Sequence, residues 1–290
     1  MEFFLQIAAN GLFVGAAYGL VGISLALIFK ATGVLNLAQG EMMMITSYVA
    51  YSLGLGFDLS LIPLILLLIP VAGFFGWAIE RFIMRPMVDA PMFSIVMLTL
   101  GLAFVLRGLA ILVWGAAALD FGQVLSPEFV NIGFMSVQMV QVYLLAALIV
   151  ASVLVAAILR FTRIGIAIRA MASNERSAVL MGIDVPKVRS FVWVLGSVIS
   201  AIAGLFLASL TTLNPELWVY GFHAFPAVIL GGIDAPIGGA IGGVIIGLTE
   251  NLAQGYIGQG LREIAGFVVI IFVLMINPNG LFGGRSVERV

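Results

Sequence analysis

The sequence predicts an all-α, polytopic membrane protein of about eight apolar segments, with a broken or re-entrant helix pair near the C-terminus. Three observations predict it. Hydrophobic residues make up 62% of the chain and charged residues only 9%, where a soluble domain carries about a quarter charged. Mean hydropathy is +1.21, and apolar runs of about 20 residues, the length a bilayer core asks of a helix, recur throughout. Glycine fills 34 positions, many of them spaced four apart, which is how membrane helices bring their backbones close. No polar stretch is long enough for a second domain, so residues 1–290 read as one transmembrane unit. The net charge of −1 points to no nucleic-acid partner, and the absence of cysteine removes disulfide and thiol chemistry.

The first span runs from about Phe4 to Phe29 and ends at Lys30. The preceding residues lack a basic n-region, so it reads as a retained helix rather than a cleaved signal. Gly11, Gly15 and Gly19 line one of its faces. Gly33 and Gly40 then bracket Asn36, Gln39 and Glu41 where an apolar helix should begin. Polar groups at membrane depth are costly unless they face protein or a water-filled path. Two readings stay open here: a broken helix lining a pathway, or an interfacial turn with Glu41 in water.

Asp58 lies in a short turn, and a third span covers Leu61 to Ile83, followed by Arg85, Pro86 and Pro91. The fourth, Phe93 to Trp114, holds Arg107 inside its apolar run. That arginine either snorkels to the nearer interface or faces a polar cavity. A polar connector over 115–138 has acids but no base, and the fifth span follows from Gln141 to Leu159. The sixth, Val188 to Leu210, leads to a second connector that is again acidic, with Trp218 and Tyr220 suited to an interfacial belt. From His223 to Leu230 the apolar run is too short to span, and Gly231, Gly232, Asp234 and Pro236 interrupt it. Gly239, Gly243 and Gly247 form a second four-spaced face leading to Glu250. Short, glycine-interrupted segments of this kind point to discontinuous helices. His223, the single histidine, reads as a local hydrogen-bond partner, and the last span is about Ile264 to Ile276.

The chain is organised around residues 160–189, which carry six bases (Arg160, Arg163, Arg169, Arg176, Lys187, Arg189) and two acids (Glu175, Asp184). Ser173 or Asn174 caps a short helix through Met181, Gly182 stops it, and Asp184 with Pro186 starts the next. The segment is therefore a compact helical knob at a membrane face. Placing Lys30, Arg81, Arg85, this knob, Arg285 and Arg289 on one side gathers 11 of the 13 bases. The positive-inside rule then puts the N-terminus outside and the C-terminus inside, provided His223–Asn251 enters and returns from the outer side.

No metal-binding cluster and no phosphate-loop motif is present, since Lys30 and Lys187 follow Phe29 and Pro186. Polar groups are too scattered for an active site, which leaves a conduit as the better reading of the residues. NGLFVGAAYGLVGISLALIFKATGVLNLAQGEMMMITSYVAY (residues 10–51), RIGIAIRAMASNERSAVLMGIDVPKVR (163–189), VILGGIDAPIGGAIGGVIIGLTE (228–250) and NPNGLFG (277–283) occur in this order. Together they resemble the permeases of branched-chain amino-acid ABC importers, over essentially the whole chain. The sequence departs at Gln39, where the family pattern has histidine. The resemblance implies a non-catalytic permease subunit of an ATP-driven importer in a bacterial inner membrane, built with a second related permease, two cytosolic ATPases and an extracytoplasmic substrate-binding protein. ATP and Mg would be bound by the ATPases, with no cofactor in this chain. It further implies that residues 160–189 form the ATPase-coupling loop, with Arg169, Ala170, Glu175, Arg176, Ala178, Met181 and Gly182 as its docking surface. Asn36, Gln39, Glu41, Arg107 and Glu250 are the candidate pathway residues. The solute is a branched-chain amino acid or a related urea, amide or aromatic acid, and a secondary transporter or channel is the competing reading.

Overall fold

A computed structural model describes residues 2–125, 128–132 and 135–284; Arg285 and Arg289, counted in the charge tally, lie outside them. Eleven α-helices make up most of the described residues. Helix α1 (Glu2–Thr32) is central, and its side chains from Ala16 to Ala26 are buried. Gly33, at φ +68°, ends it, and 34–38 run without helix before α2 (Gln39–Phe57) begins. Helix α3 (Leu61–Ile79) passes into a π turn over Glu80–Met84. Helices α4 (Met92–Trp114) and α5 (Met139–Phe161) leave much of their apolar surface exposed, as lipid-facing helices do. The basic segment folds as α6 (Arg163–Ser173) and α7 (Glu175–Leu180), and α8 (Val185–Leu210) leaves it. The chain closes with α9 (Trp218–Gly231), α10 (Pro236–Tyr256) and α11 (Arg262–Ile276).

Among the described residues, six helices are long and apolar enough to cross a membrane: α1, α3 with the turns that continue it to Met87, α4, α5, α8 and α10. Helices α2, α9 and α11 complete the set as more polar or shorter elements, close to the eight segments expected. The acidic connector does one thing its composition does not announce. It forms a small hairpin, Phe129–Ile132 against Met135–Gln138, and Leu119 bridges to Leu213 of the other acidic connector.

Two ends of the bundle are distinguishable by what meets there. At one, Lys30 Nζ donates to the Asp234 carbonyl at 2.8 Å, and the Leu281 and Phe282 amides close on the carbonyls of Leu230 and Gly231. Arg85 and the α6–α7 knob lie at this basic face. At the other, Trp114 Nε1 donates to Ser52 Oγ at 2.7 Å, and Phe3 packs on Tyr256. The tip of the α9–α10 hairpin reaches the basic face beside Lys30. Only α9 is short. Helix α10 is continuous for 21 residues despite its glycines, because α1 lies directly against them. A Cβ on Gly15 would stand 2.8 Å from both the Gly243 carbonyl and the Val244 Cα. The helix-weakening cost of glycine is offset by backbone contact that no larger residue permits.

Candidate functional site

The break after α1 decides where α2 begins. Gln39 donates from Nε2 to Ser24 Oγ at 2.8 Å and to Ser200 Oγ at 2.6 Å. Ser24 sits eight residues, roughly 12 Å, back from the end of α1, so the chain folds inward again before α2 starts. Asn36 Nδ2 donates to Gln39 Oε1 at 2.8 Å, and its Oδ1 accepts from the Ala38 amide. Asn36 and Gln39 are thus buried and bonded between α1, α2 and α8. Glu41, the third polar residue singled out at the break, borders a cavity.

Glu41 lies in the first turn of α2, where the helix dipole favours a carboxylate. Its Oε1 accepts from Arg107 Nη2 at 2.6 Å, so Arg107 turns toward α2 instead of snorkelling along α4. The guanidinium also stands 3.9 Å from the centroid of the Trp218 ring, a cation–π contact. Arg107 Nε is buried with no hydrogen-bond partner among the described residues. Gly40 makes the cluster possible: a Cβ there would meet the Trp218 carbonyl at 2.5 Å, so glycine lets the start of α9 reach the start of α2. Around the pair lies a cavity of about 230 Å³, whose remaining walls are mainly apolar, including Leu100, Ala103, Phe222 and Phe225.

Glu250 belongs to a different cluster. It accepts from the Tyr18 hydroxyl at 3.0 Å and lies 2.9 Å from His223 Nδ1, while the Tyr18 and His223 rings stack 5.6 Å apart. Tyr18 and His223 border a cavity of about 300 Å³ with Thr211, Asn214 and Tyr220 near the opposite face. His223 is the local partner expected of it, and the partner is Glu250. Tyr18 carried no sequence signal, because a tyrosine in an apolar helix is usually packing.

The knob follows its punctuation closely. Thr162, Asn174 and Asp184 accept from the Gly165, Ser177 and Lys187 amides, capping α6, α7 and α8, and Gly182 takes φ +82°. The Lys187 ammonium and amide hold the Asp184 carboxyl below its ordinary range. Arg169 donates to the Leu159 carbonyl, and Arg176 and Gly182 are exposed. Met181 is 84% exposed, with Leu180 at 87% and Val179 at 54%. Those two neighbours were not singled out from sequence, although an apolar pair beside Met181 was there to see. Ala178, expected in a partner's groove, instead packs internally with Met171 and Val185, because the α7 face that carries it turns onto α6 and α8. Ala170 is half-buried against the same small core. Glu175 accepts from Arg189 Nη2 at 2.6 Å and ties the knob to α8.

One further pair escaped the sequence. Glu80 is fully buried and receives two bonds from Arg85, at 3.0 and 2.8 Å, plus the Ser190 hydroxyl. Their i, i+5 spacing does not align on an α-helix, but it does on the π turn found there, in which the Arg85 amide bonds the Glu80 carbonyl.

Comparison with known proteins now bears on this geometry. Residues 7–277 match the family model described as branched-chain amino acid transport system / permease component. The chain is 28% identical to the high-affinity branched-chain amino acid transport system permease protein LivH of Escherichia coli K12, over 99% of this chain and 98% of that protein. It is 27% identical to BraD of Pseudomonas aeruginosa, a permease protein of the same description, with the same coverage. A shorter match, 32% identical over 43% of the chain, is to the ribose import permease protein RbsC of Haemophilus influenzae. No solved structure matches. The chain belongs to the branched-chain amino acid transport system permease family.

Proposed function

We propose that this chain is one permease subunit of an ATP-driven importer, paired with a second related permease, served by two cytosolic ATPases and supplied by an extracytoplasmic binding protein. The observation that carries the reading is the tip of the knob. Val179, Leu180 and Met181 stand exposed on a unit that is otherwise charged, capped and clamped to α8. Such a tip on a basic face suits a soluble partner with an apolar groove and acidic rim, which an ATPase subunit would present. The basic face is then cytosolic, the N-terminus outside and the C-terminus inside. Val179, Leu180, Met181, Arg169, Arg176 and Gly182 form the docking surface, with Ala170, Glu175 and Ala178 supporting it from behind.

The solute path runs through the cavity at Glu41 and Arg107. A charged pair partly open at membrane depth is costly against lipid, so this side faces a water-filled path shared with the second permease. Arg107 offers its guanidinium to a carboxylate, Glu41 accepts from an ammonium, and the apolar walls suit an aliphatic or aromatic side chain. A branched-chain amino acid or a related zwitterion fits that combination. The test is reconstitution in liposomes with the co-purifying partners. Uptake should require ATP and the binding protein, whereas uptake by this chain alone down a gradient would establish the secondary-transporter or channel reading.

A further inference from the structure

A second cavity, of about 80 Å³, lies at the basic face between Val34, Met84, Ile95, Glu175, Arg189 and Trp193. Its relation to the first is the informative point. The upper cavity is walled by Leu37 and Gly40 on one side and by Leu100 to Arg107 of α4 on the other. The lower one is walled by Val34 from the same segment and Ile95 from the same helix. The two therefore lie in series along one groove, separated by about one and a half turns of α4.

They also share a chemistry. Above, Arg107 pairs through Nη2 with Glu41 at 2.6 Å, leaves Nε unpaired, and stands beside Trp218. Below, Arg189 pairs through Nη2 with Glu175 at 2.6 Å, leaves Nε unpaired, and stands one turn before Trp193. Trp193 Nε1 and Ser197 Oγ are likewise buried without a partner among the described residues. Arg189 and Trp193 are one turn apart on α8 and both line the cavity, and their unpaired groups are donors only, whereas Ser197 lies farther along against Gly76 of α3. Leaving such groups unpaired costs about 1–3 kcal/mol each, which an acceptor brought by a solute would relieve when the cavity opens. The volume is ample for water and admits the polar end of a small molecule.

We propose that this lower cavity is the exit site of the path and the Glu175–Arg189 ion pair the latch across it: Arg189 Nε and Trp193 Nε1 are covered while the latch is closed, and receive a carboxylate oxygen of the departing solute once it parts. The proposal rests on the permease reading above. Glu175 is the first residue of α7 and Arg189 lies in α8, so any motion that draws the knob from α8 parts the latch. The element that meets the ATPase is thus the one that closes the exit.

The chain has no cysteine, so Val34→Cys or Ile95→Cys places a single thiol in the cavity wall. In the complete complex, in vesicles exposing the basic face, a membrane-impermeant thiol reagent should label either position slowly. Glu175→Gln should speed labelling about tenfold or more, as expected for loss of an ion pair. Glu175→Asp should give a smaller increase, which keeps the test available if the glutamine variant does not assemble. L-leucine should protect the thiol and acetamide should not, and Trp193→Phe should abolish the protection. Unchanged labelling in both Glu175 variants, or equal effects of leucine and acetamide, would overturn the proposal. ATP-dependent release of leucine, loaded together with the binding protein inside the same vesicles, is measured in parallel. Loss of ATP dependence there would count against the importer reading, while the labelling rates judge the latch.

Discussion

Arg107 of α4 and Glu41 of α2, 66 residues apart in sequence, form a 2.6 Å ion pair at the point where the starts of α2 and α9 converge. Glu41 is almost wholly buried, and Arg107 is its ion-pair partner. Arg107→Gln should destabilise the protein by about 3–5 kcal/mol, the usual cost of leaving a buried charge alone. The double variant Glu41→Gln/Arg107→Gln should regain most of that stability and still fail to take up a zwitterion. Thermal unfolding and uptake, measured on the same preparations, separate the two effects. Full uptake by the stable double variant would remove the pair from the pathway.

The α1–α10 contact makes a second expectation. Gly15→Leu or Gly247→Val places a side chain where the opposing backbone already lies. Neither should yield a folded chain at the parental level, because the backbones must separate and no rotamer relieves the clash. Gly101→Ala, on the open side of α4 with nothing near its Cβ position, should be tolerated. Expression and gel filtration in detergent read the difference.

At the knob, Leu180→Asp and Met181→Asp should weaken ATPase association by at least about tenfold while the chain inserts and folds, because both side chains are exposed. Ala178→Asp should act differently. It buries a charge against Met171 and Val185, so it should unfold the knob and raise protease sensitivity around 163–184. Co-purification of the ATPase and limited proteolysis distinguish loss of contact from loss of structure.

Orientation is checked with two further thiols. Thr212→Cys and Ser173→Cys both fall on exposed residues at opposite ends of the bundle. The first should label from outside intact cells and the second only after permeabilisation. The reverse pattern would invert the path and place the knob on the wrong side for an ATPase.

Much was settled by the sequence alone, and for a local reason. Span positions follow from apolar run length, and the knob from Asn174, Gly182 and Asp184, because capping and chain reversal are decided within a few residues. The two four-spaced glycine faces were legible as faces. That they are each other's partners was not, since any small-residue stripe fits another equally well until the topology brings two together. The same limit applied to charge. Glu41 and Arg107 were each visible as costly residues in an apolar setting, but only packing showed that they neutralise one another while Gln39 binds two serines instead. Glu80 and Arg85 became a pair only because a π turn changed the helical period beneath them. Ala178 and Met181 differ by less than one turn, and burial alone made one core and the other surface. Local backbone preference is written into short stretches of sequence, whereas the partner of a buried polar or small residue depends on what the rest of the chain brings to it, and that only the tertiary structure decided.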